Sequence, residues 1–365
     1  MPPPSIPRKR ITLDALDALK AARVPIVVVT ACDAPTAGAA NAAGVDCILV
    51  GDSLGMAALG LASTVPVTMA DMERVCGAVA RGAGGDPGRG LSTRPLLVGD
   101  LPFGTYATVH AAVDAANRLV VAGGVAAVKL EGGVAQVPKV VALSSEGLPV
   151  WGHVGLLPQT AALGGTYAPR ARSLTAALAV ISDALALQEA GARAIVFECV
   201  PPAVAAFASS LLRIPIIGIG AGGGCDGQVL VAADLLGWTH KPPTFAKVYA
   251  RSAGDARIAF DAYVADVRGR AFPAERHARA WDGEEAAAFG EAAERRFGLG
   301  LGSGPKLGDE NGGGAKHHKN HVIPHTIIKA GPANVGVGAA LASLTPAHTP
   351  PPESPLSVQE PSPLI

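Results

Sequence analysis

Cys47-Ile48-Leu49-Val50-Gly51-Asp52-Ser53 is a short apolar run that stops on an acid, and the pattern returns along the chain. It recurs at Val98-Gly99-Asp100, Val128-Lys129-Leu130-Glu131, Val150-Trp151-Gly152-His153 and Val196-Phe197-Glu198. A further run ends in the glycine-rich turn Gly218-Ile219-Gly220-Ala221-Gly222. Short all-apolar strands separated by helical stretches belong to a parallel sheet buried on both faces. When such a sheet closes into a (β/α)8 barrel, side chains fill its interior and functional groups collect at the C-terminal strand ends. The spacing predicts one pocket built from residues far apart in sequence.

Strands are predicted at Ile26 to Thr30, Cys47 to Val50, Leu96 to Val98, Ala127 to Leu130, Pro149 to Trp151, Ile195 to Phe197, Ile216 to Ile219 and, more weakly, Val229 to Val231. Helical patterns lie between them, at Ala70 to Arg81 behind Thr68, Val109 to Ala122 and Leu174 to Ala190, each with a glycine at or just past its end. An earlier helix opens after Thr12, with Leu13, Leu16 and Leu19 recurring on one face, and is expected to plug the barrel bottom. The reading is an α/β chain with a flexible N-terminus over 1–10, a (β/α)8 TIM barrel over 11–280 and a tail over 281–365. The tail turns to Gly, Ser, Lys and Asp, then to proline over Pro346 to Pro363, without apolar periodicity, and is expected to be mostly disordered. Gly82 to Arg94, glycine-rich and charged, reads as an insertion on the barrel face away from the chemistry.

Thirty basic and thirty acidic residues in a chain of 365 leave no net charge, against the electrostatic footprint of a nucleic-acid binder and in favour of a small-molecule substrate. Cys32, Cys47, Cys76, Cys199 and Cys225 are odd in number and scattered, so they read as free thiols in a reducing compartment. Arg8-Lys9-Arg10 has no apolar run behind it, so a secretory signal is not expected. Ala330 to Ala347 carries Pro332, Asn334 and glycines, too polar a stretch to span a bilayer. The expectation is a soluble intracellular protein.

Asp52, Asp100 and Glu131 would project from consecutive strand ends, where oxygen ligands suit a hard cation such as Mg2+. Such an ion relieves their mutual repulsion and acts as a Lewis acid on an oxygen ligand. Each aspartate taken singly is equally an ordinary turn or helix cap. Lys129, two residues before Glu131, shares its strand face and either contacts a substrate carboxylate or pairs with an acid. Glu198, with Val196 and Phe197 before it and Cys199 and Val200 after, sits where apolar neighbours would raise a carboxylate's pKa toward that of a general base. Capping of the helix after Pro201 is the competing reading. His153, between Gly152 and Gly155, reads as a pocket wall that orients substrate. The turn Gly218 to Gly222 lacks the lysine of a phosphate loop and reads as a tight turn lining the pocket. His317, His318, His321 and His325 read as part of a solvated low-complexity run rather than a metal site.

Several blocks resemble ketopantoate hydroxymethyltransferase. They are Thr12-Leu13 with Lys20, Ile48 to Met56, Thr64-Val65-Pro66-Val67-Thr68, Asp100-Leu101-Pro102-Phe103-Gly104-Thr105-Tyr106, Val128 to Gly133, Gly152-His153-Val154-Gly155-Leu156-Leu157-Pro158-Gln159, Phe197 to Pro201, and Gly218 to Gly222 with Cys225-Asp226-Gly227-Gln228. The resemblance spans residues 11 to 277 and implies a barrel of the phosphoenolpyruvate/pyruvate type. It implies the first committed step of pantothenate synthesis, in which 3-methyl-2-oxobutanoate takes a hydroxymethyl group from 5,10-methylenetetrahydrofolate to give 2-dehydropantoate. By the family pattern Asp52, Asp100 and Glu131 bind Mg2+; Asp52, Ser53, Asp100 and Lys129 hold the keto acid; and Glu198 accepts the proton. It further implies a homo-oligomer, often a decamer, working in mitochondria or cytoplasm. The chain departs from the pattern at Cys32, where many relatives have tyrosine, at Ala232-Ala233, where a histidine is usual, and over Tyr167 to Arg172. The other readings weighed are a Mg2+-dependent C–C lyase or mutase of the same superfamily and a binding or scaffold subunit without activity.

Overall fold

Aliphatic and β-branched runs form the strands, and alternate residues of each face opposite ways. The computed structural model describes residues 10–84, 95–165, 167–168, 170–280 and 283–298. Its strands are β1 (Ile26–Thr30), β2 (Cys47–Val50), β3 (Leu96–Asp100), β4 (Ala127–Lys129), β5 (Val150–Gly155), β6 (Ala194–Glu198), β7 (Ile216–Ile219) and β8 (Gly227–Leu230). All neighbours pair in parallel and β8 returns to β1, closing the predicted barrel in sequence order. The helices are α1 (Leu13–Ala21), α2 (Ala34–Ala43), α3 (Leu54–Ala57), α4 (Met69–Gly82), α5 (Val109–Val121), α6 (Val137–Ser145), α7 (Pro158–Gly164), α8 (Leu174–Glu189), α9 (Pro202–Leu211), α10 (Ala232–Leu235), α11 (Ser252–Arg268) and α12 (Gly283–Phe297).

Inward residues make a compact floor. Val28, Cys47, Leu49, Leu96, Val98, Ala127, Trp151, Ala194, Val196, Ile217 and Val229 pack together, and Leu16 of α1 packs into the same cluster from below. Ile11, Leu13 and Leu19 lie against it, so the N-terminal helix plugs the barrel bottom as its periodicity predicts. Thr12 caps α1 by accepting from Ala15 N. Lys20 Nζ lies 2.6 Å from Asp226 Oδ2, which also accepts from Ile216 N, so one part-buried ion pair ties the plug to the β7 and β8 ends of the barrel. Outward residues, among them Val29, Ile48, Val50, Leu97, Val128, Val150, Ile195 and Phe197, form a second apolar layer beneath the helices. Thr68 caps α4 in a capping box with Asp71.

Three strands run further than their apolar residues suggest. β3 ends on Asp100 and β6 on Glu198, so both acids belong to the ladder, and β5 continues past His153 to Gly155. The eighth strand begins at Gly227 rather than Val229: Gly227 pairs with Ile26, and Val231 already caps α10. The two missed residues are Gly227, which carries no strand signal, and the exposed Gln228, which stands outside any apolar run.

The outer layer is open on one side. Val27, pointing away from the barrel interior on β1, is 50% exposed, and no residue of α11 is buried although Ile258, Phe260 and Tyr263 lie on it. The chain divides into a unit up to Arg279 and a second from Ala280. Within the tail expected to be mostly disordered, the described residues include α12, an alanine- and glutamate-rich helix with no buried residue. Its residue types favour helix without any packed face, which a search for apolar periodicity misses. Residues 85–94 of the glycine-rich insertion and the histidines at 317, 318, 321 and 325 lie outside the described residues.

Candidate functional site

The C-terminal ends of the strands open onto a cavity of about 390 Å³ lined by Asp52, Ser53, Asp100, Lys129, Glu131, His153 and Glu198. All seven residues singled out from the sequence therefore meet in one place. Asp52 follows β2 by two residues and donates its backbone N–H to Asp100 Oδ2 at 3.1 Å. Ser53 stands at the N-cap of α3. Lys129 ends β4 with Nζ 3.0 Å from Asp100 Oδ1 and 3.3 Å from His153 Nδ1. His153 Nδ1 lies 3.7 Å from Glu131 Oε1, and its Nε2 lies 3.2 Å from Glu198 Oε2. Gly155, at φ +95°, packs against the backbone carbonyl of Glu198, a contact that a Cβ would block, so β5 and β6 converge where His153 and Glu198 meet.

An ammonium has only donors, so His153 Nδ1 accepts from Lys129 and the imidazole proton sits on Nε2, facing Glu198. Burial and then the charge of Lys129 lower the His153 pKa, which keeps the ring neutral in this tautomer at ordinary pH. Glu198 is the most open of the acids, with its side chain 15% exposed. The expected apolar enclosure is incomplete because Phe197, its neighbour in sequence, points to the outer layer, and only Val196 belongs to the floor.

Four carboxylates face one ammonium here. Burial, then the charge of Asp100, pushes the Asp52 pKa up to about 7. Burial raises that of Glu131 as well, against the pull of Lys129. Burial alone would lower Lys129, but Asp100, Glu131 and Asp52 outweigh it and hold the lysine charged. Asp100 Oδ1 and Glu131 Oε1 are buried without a hydrogen-bonding donor; the Lys129 contact to Asp100 has ion-pair distance but not hydrogen-bond alignment. Two orphaned anionic oxygens beside an aspartate that resists ionisation are a donor set suited to a hard cation. Among the described residues no three acid, histidine or cysteine groups converge as a closed ligand cage. The fit is to a cation such as Mg2+ that takes one or two carboxylates and leaves its other positions to water and substrate.

Sequence reading missed two residues as site components. Gln159 on α7, 1% exposed, donates from Nε2 to Asp52 Oδ2 at 2.8 Å and to Leu101 O at 3.0 Å, and from its backbone N–H to Glu131 Oε2 at 3.1 Å. Tyr106, on the loop after β3, donates its hydroxyl to Gln159 Oε1. Both stand inside quoted motifs, which was their only signal. The turn Gly218 to Gly222 is the tight turn expected: Gln228 Nε2 bonds to Gly222 O, and Gly220 packs on Phe245, a cavity-lining residue.

Residues 10–275 match the model of the family described as ketopantoate hydroxymethyltransferase. A 3-methyl-2-oxobutanoate hydroxymethyltransferase of Roseiflexus sp. (strain RS-1) is 48% identical over 277 residues, 76% of this chain and 96% of the relative. That of Desulfotalea psychrophila is 46% identical over 270 residues, 73% of this chain and 94% of the relative. In Arabidopsis thaliana, 3-methyl-2-oxobutanoate hydroxymethyltransferase 1, mitochondrial, is 45% identical over 284 residues, 76% of this chain and 79% of the relative. With a family model matched from the start of α1 to beyond α11, and with near-full-length relatives at this identity, the chain belongs to the ketopantoate hydroxymethyltransferase family.

Proposed function

We propose that the chain transfers a hydroxymethyl group to 3-methyl-2-oxobutanoate, giving 2-dehydropantoate, with 5,10-methylenetetrahydrofolate as one-carbon donor and water supplying the hydroxyl. The observation that carries the reading is the convergence of Asp52, Asp100, Lys129, Glu131, His153 and Glu198 on one cavity, with Glu198 held against His153 Nε2. Asp52, Asp100 and Glu131 would hold Mg2+, with Asp100 Oδ1 and Glu131 Oε1 the oxygens that no donor already engages. When bound, Mg2+ supplies Lewis-acid stabilisation of negative charge developing on the 2-oxo oxygen.

The remaining work falls to the chain. Lys129, fully charged, offers its ammonium to the substrate carboxylate together with the hydroxyl of Ser53. Glu198 takes the proton from C3; His153 Nε2 lies 3.2 Å from Oε2, at ion-pair distance without hydrogen-bond alignment, and so stands beside one carboxylate oxygen and leaves the other for that proton. Water releases the one-carbon unit from the folate as formaldehyde, breaking both C–N bonds and leaving tetrahydrofolate. The deprotonated keto acid adds through C3 to that carbonyl carbon, and the resulting alkoxide takes up a proton to become the hydroxyl. The floor of Leu49, Val196, Ile219 and Val229 closes the cavity from below and keeps water from the carbanion. The five cysteines are all free, which supports a reducing intracellular compartment, cytoplasm or mitochondrion, distinguishable by a fluorescent fusion. Among the described residues no helix is long and apolar enough to cross a membrane. The uncovered Val27 and the unburied apolar residues of α11 support a homo-oligomer, a decamer among the forms to look for by light scattering.

Glu198→Gln tests the reading. The variant should keep Mg2+ and keto-acid binding yet lose deuterium exchange at C3 by roughly 10²- to 10⁴-fold; unchanged exchange removes Glu198 from the base role. Formation of 2-dehydropantoate from methylenetetrahydrofolate, abolished by a chelator and restored by Mg2+, tests the donor and the metal together.

A further inference from the structure

We infer that Gln159 is a positioning residue, with Tyr106 behind it: the pair fixes the orientation of the Asp52 and Glu131 carboxylates on which metal and substrate binding depend. The inference rests on the function proposed above and deepens it.

The geometry admits one arrangement of the Gln159 amide. Its nitrogen lies between two acceptors, Asp52 Oδ2 and Leu101 O, and both N–H groups are consumed there. Its oxygen then has to accept, and the group that meets it is the Tyr106 hydroxyl, whose proton has no other role in the network. A flipped amide would set oxygen against two acceptors and nitrogen against a donor. Meanwhile the Gln159 backbone N–H holds Glu131 Oε2. One buried residue thus spans from the acid after β2 to the acid after β4, and leaves Asp100 Oδ1 and Glu131 Oε1 as the oxygens without donors. A purely structural glutamine would satisfy buried backbone groups. This one places both amide protons and its own N–H on two of the site's carboxylates and the carbonyl next to Asp100.

Tyr106 is 9% exposed, and burial, then the charge of Glu131, raises its pKa, so the hydroxyl stays protonated and able to donate. Loss of the hydroxyl orphans the amide oxygen. Loss of the amide orphans Asp52, the more serious change, because a buried anion is left without a donor.

The test is a double-mutant cycle on the full-length protein with Gln159→Met and Tyr106→Phe, reading Mg2+ affinity without substrate by calorimetry, and kcat and keto-acid KM separately. Gln159→Met should weaken Mg2+ binding by about tenfold or more and lower kcat more than it raises KM. Tyr106→Phe should weaken Mg2+ binding about threefold, and the double variant should match Gln159→Met, because the hydroxyl's proton goes to the amide oxygen and not to a carboxylate. Gln159→Met with Mg2+ affinity and kcat within about twofold of wild type overturns the inference, as do additive effects of the two changes. Should Gln159→Met fail to fold, Tyr106→Phe decides alone: unchanged Mg2+ affinity and kcat overturn it. A wild-type protein that binds no Mg2+ and makes no product refutes the proposed function instead, so the two failures are distinct.

Discussion

The two ends of this barrel are built from the same strands and differ only in which residues the inward positions carry. On β5, Trp151 is fully buried in the apolar floor, and two residues later His153 sits among Lys129, Glu131 and Glu198. On β3 and β4 the same step leads from Val98 to Asp100 and from Ala127 to Lys129. The floor is built from apolar side chains, with the Trp151 Nε1–H the polar group buried among them, and α1 packs against it from below. The rim packs four carboxylates around one ammonium, with Asp52, Asp100, Glu131 and Lys129 as buried as the floor and Glu198 more open, and with two anionic oxygens lacking donors. Burial of apolar surface stabilises the fold, whereas burial of like charges opposes it and persists because the site needs it. Floor and rim should therefore respond to substitution in opposite ways.

The sharpest way to break that contrast is Asp100→Asn. Removing this carboxylate takes away a group preorganised for charge stabilisation, so kcat/KM should fall by roughly 10²- to 10³-fold. It also relieves the repulsion on Asp52, and Lys129 keeps Glu131 and Asp52 as counter-charges, so Tm should hold or rise. Activity retained with a large loss of Tm would make Asp100 a structural residue. Leu16→Ala is the converse at the floor. Leu16 is 1% exposed within the interior cluster, and truncation should cost about 2–5 kcal/mol by denaturant unfolding. At temperatures where the variant is folded, kcat/KM should stay within about twofold, since sites this separate act independently.

A milder probe is pH. Asp52 has its folded-state pKa raised from 3.8 to about 7, so its ionised form is disfavoured in the folded protein. Its contribution to stability is present at low pH and is lost as pH rises toward 7; Glu131 acts in the same direction. His153, whose pKa is lowered, acts oppositely and withdraws stability as pH falls below its ordinary value. Mg2+ displaces the Asp52 proton, so its apparent affinity should weaken about tenfold per pH unit below about 7, and the Tm gain on adding Mg2+ should be larger at pH 8 than at pH 6. A pH-independent gain would place the ion elsewhere.

The contrast between floor and rim was legible in the sequence where it depends on local pattern. β1, β2 and β7 fall where their apolar runs lie, because a strand buried on both faces of a parallel sheet reads as a nearly continuous apolar run. The acids were legible because each interrupts such a run. What sequence hid is whatever depends on elements meeting. Gln159 looks like a helix-start residue after Pro158, and Tyr106 like a loop aromatic; only folding brings them to each other and to Asp52. The apolar neighbours of Glu198 misled for a related reason, since adjacency along a strand puts side chains on opposite faces. The bare face of α11 was equally invisible, because its apolar residues do not announce whether another surface covers them.

The smallest effect concerns the part of the chain beyond the barrel unit, and it asks whether the contrast is confined to that unit. Every residue at the rim and every residue of the floor lies before Arg279. In the described part beyond it, α12 carries glutamates, arginines and alanines with no buried residue. The curated bacterial relatives support the same division, since the one from Roseiflexus is matched over 96% of its length by 76% of this chain. Deleting residues 285–365 should leave kcat/KM and Mg2+ affinity within about twofold and Tm within a few degrees, because a domain with its own core folds and works as a unit. A loss of activity beyond tenfold with Tm unchanged would mean that the chain after the barrel reaches the rim, whereas a loss of Tm with activity intact would mean that it supports the barrel's outer layer.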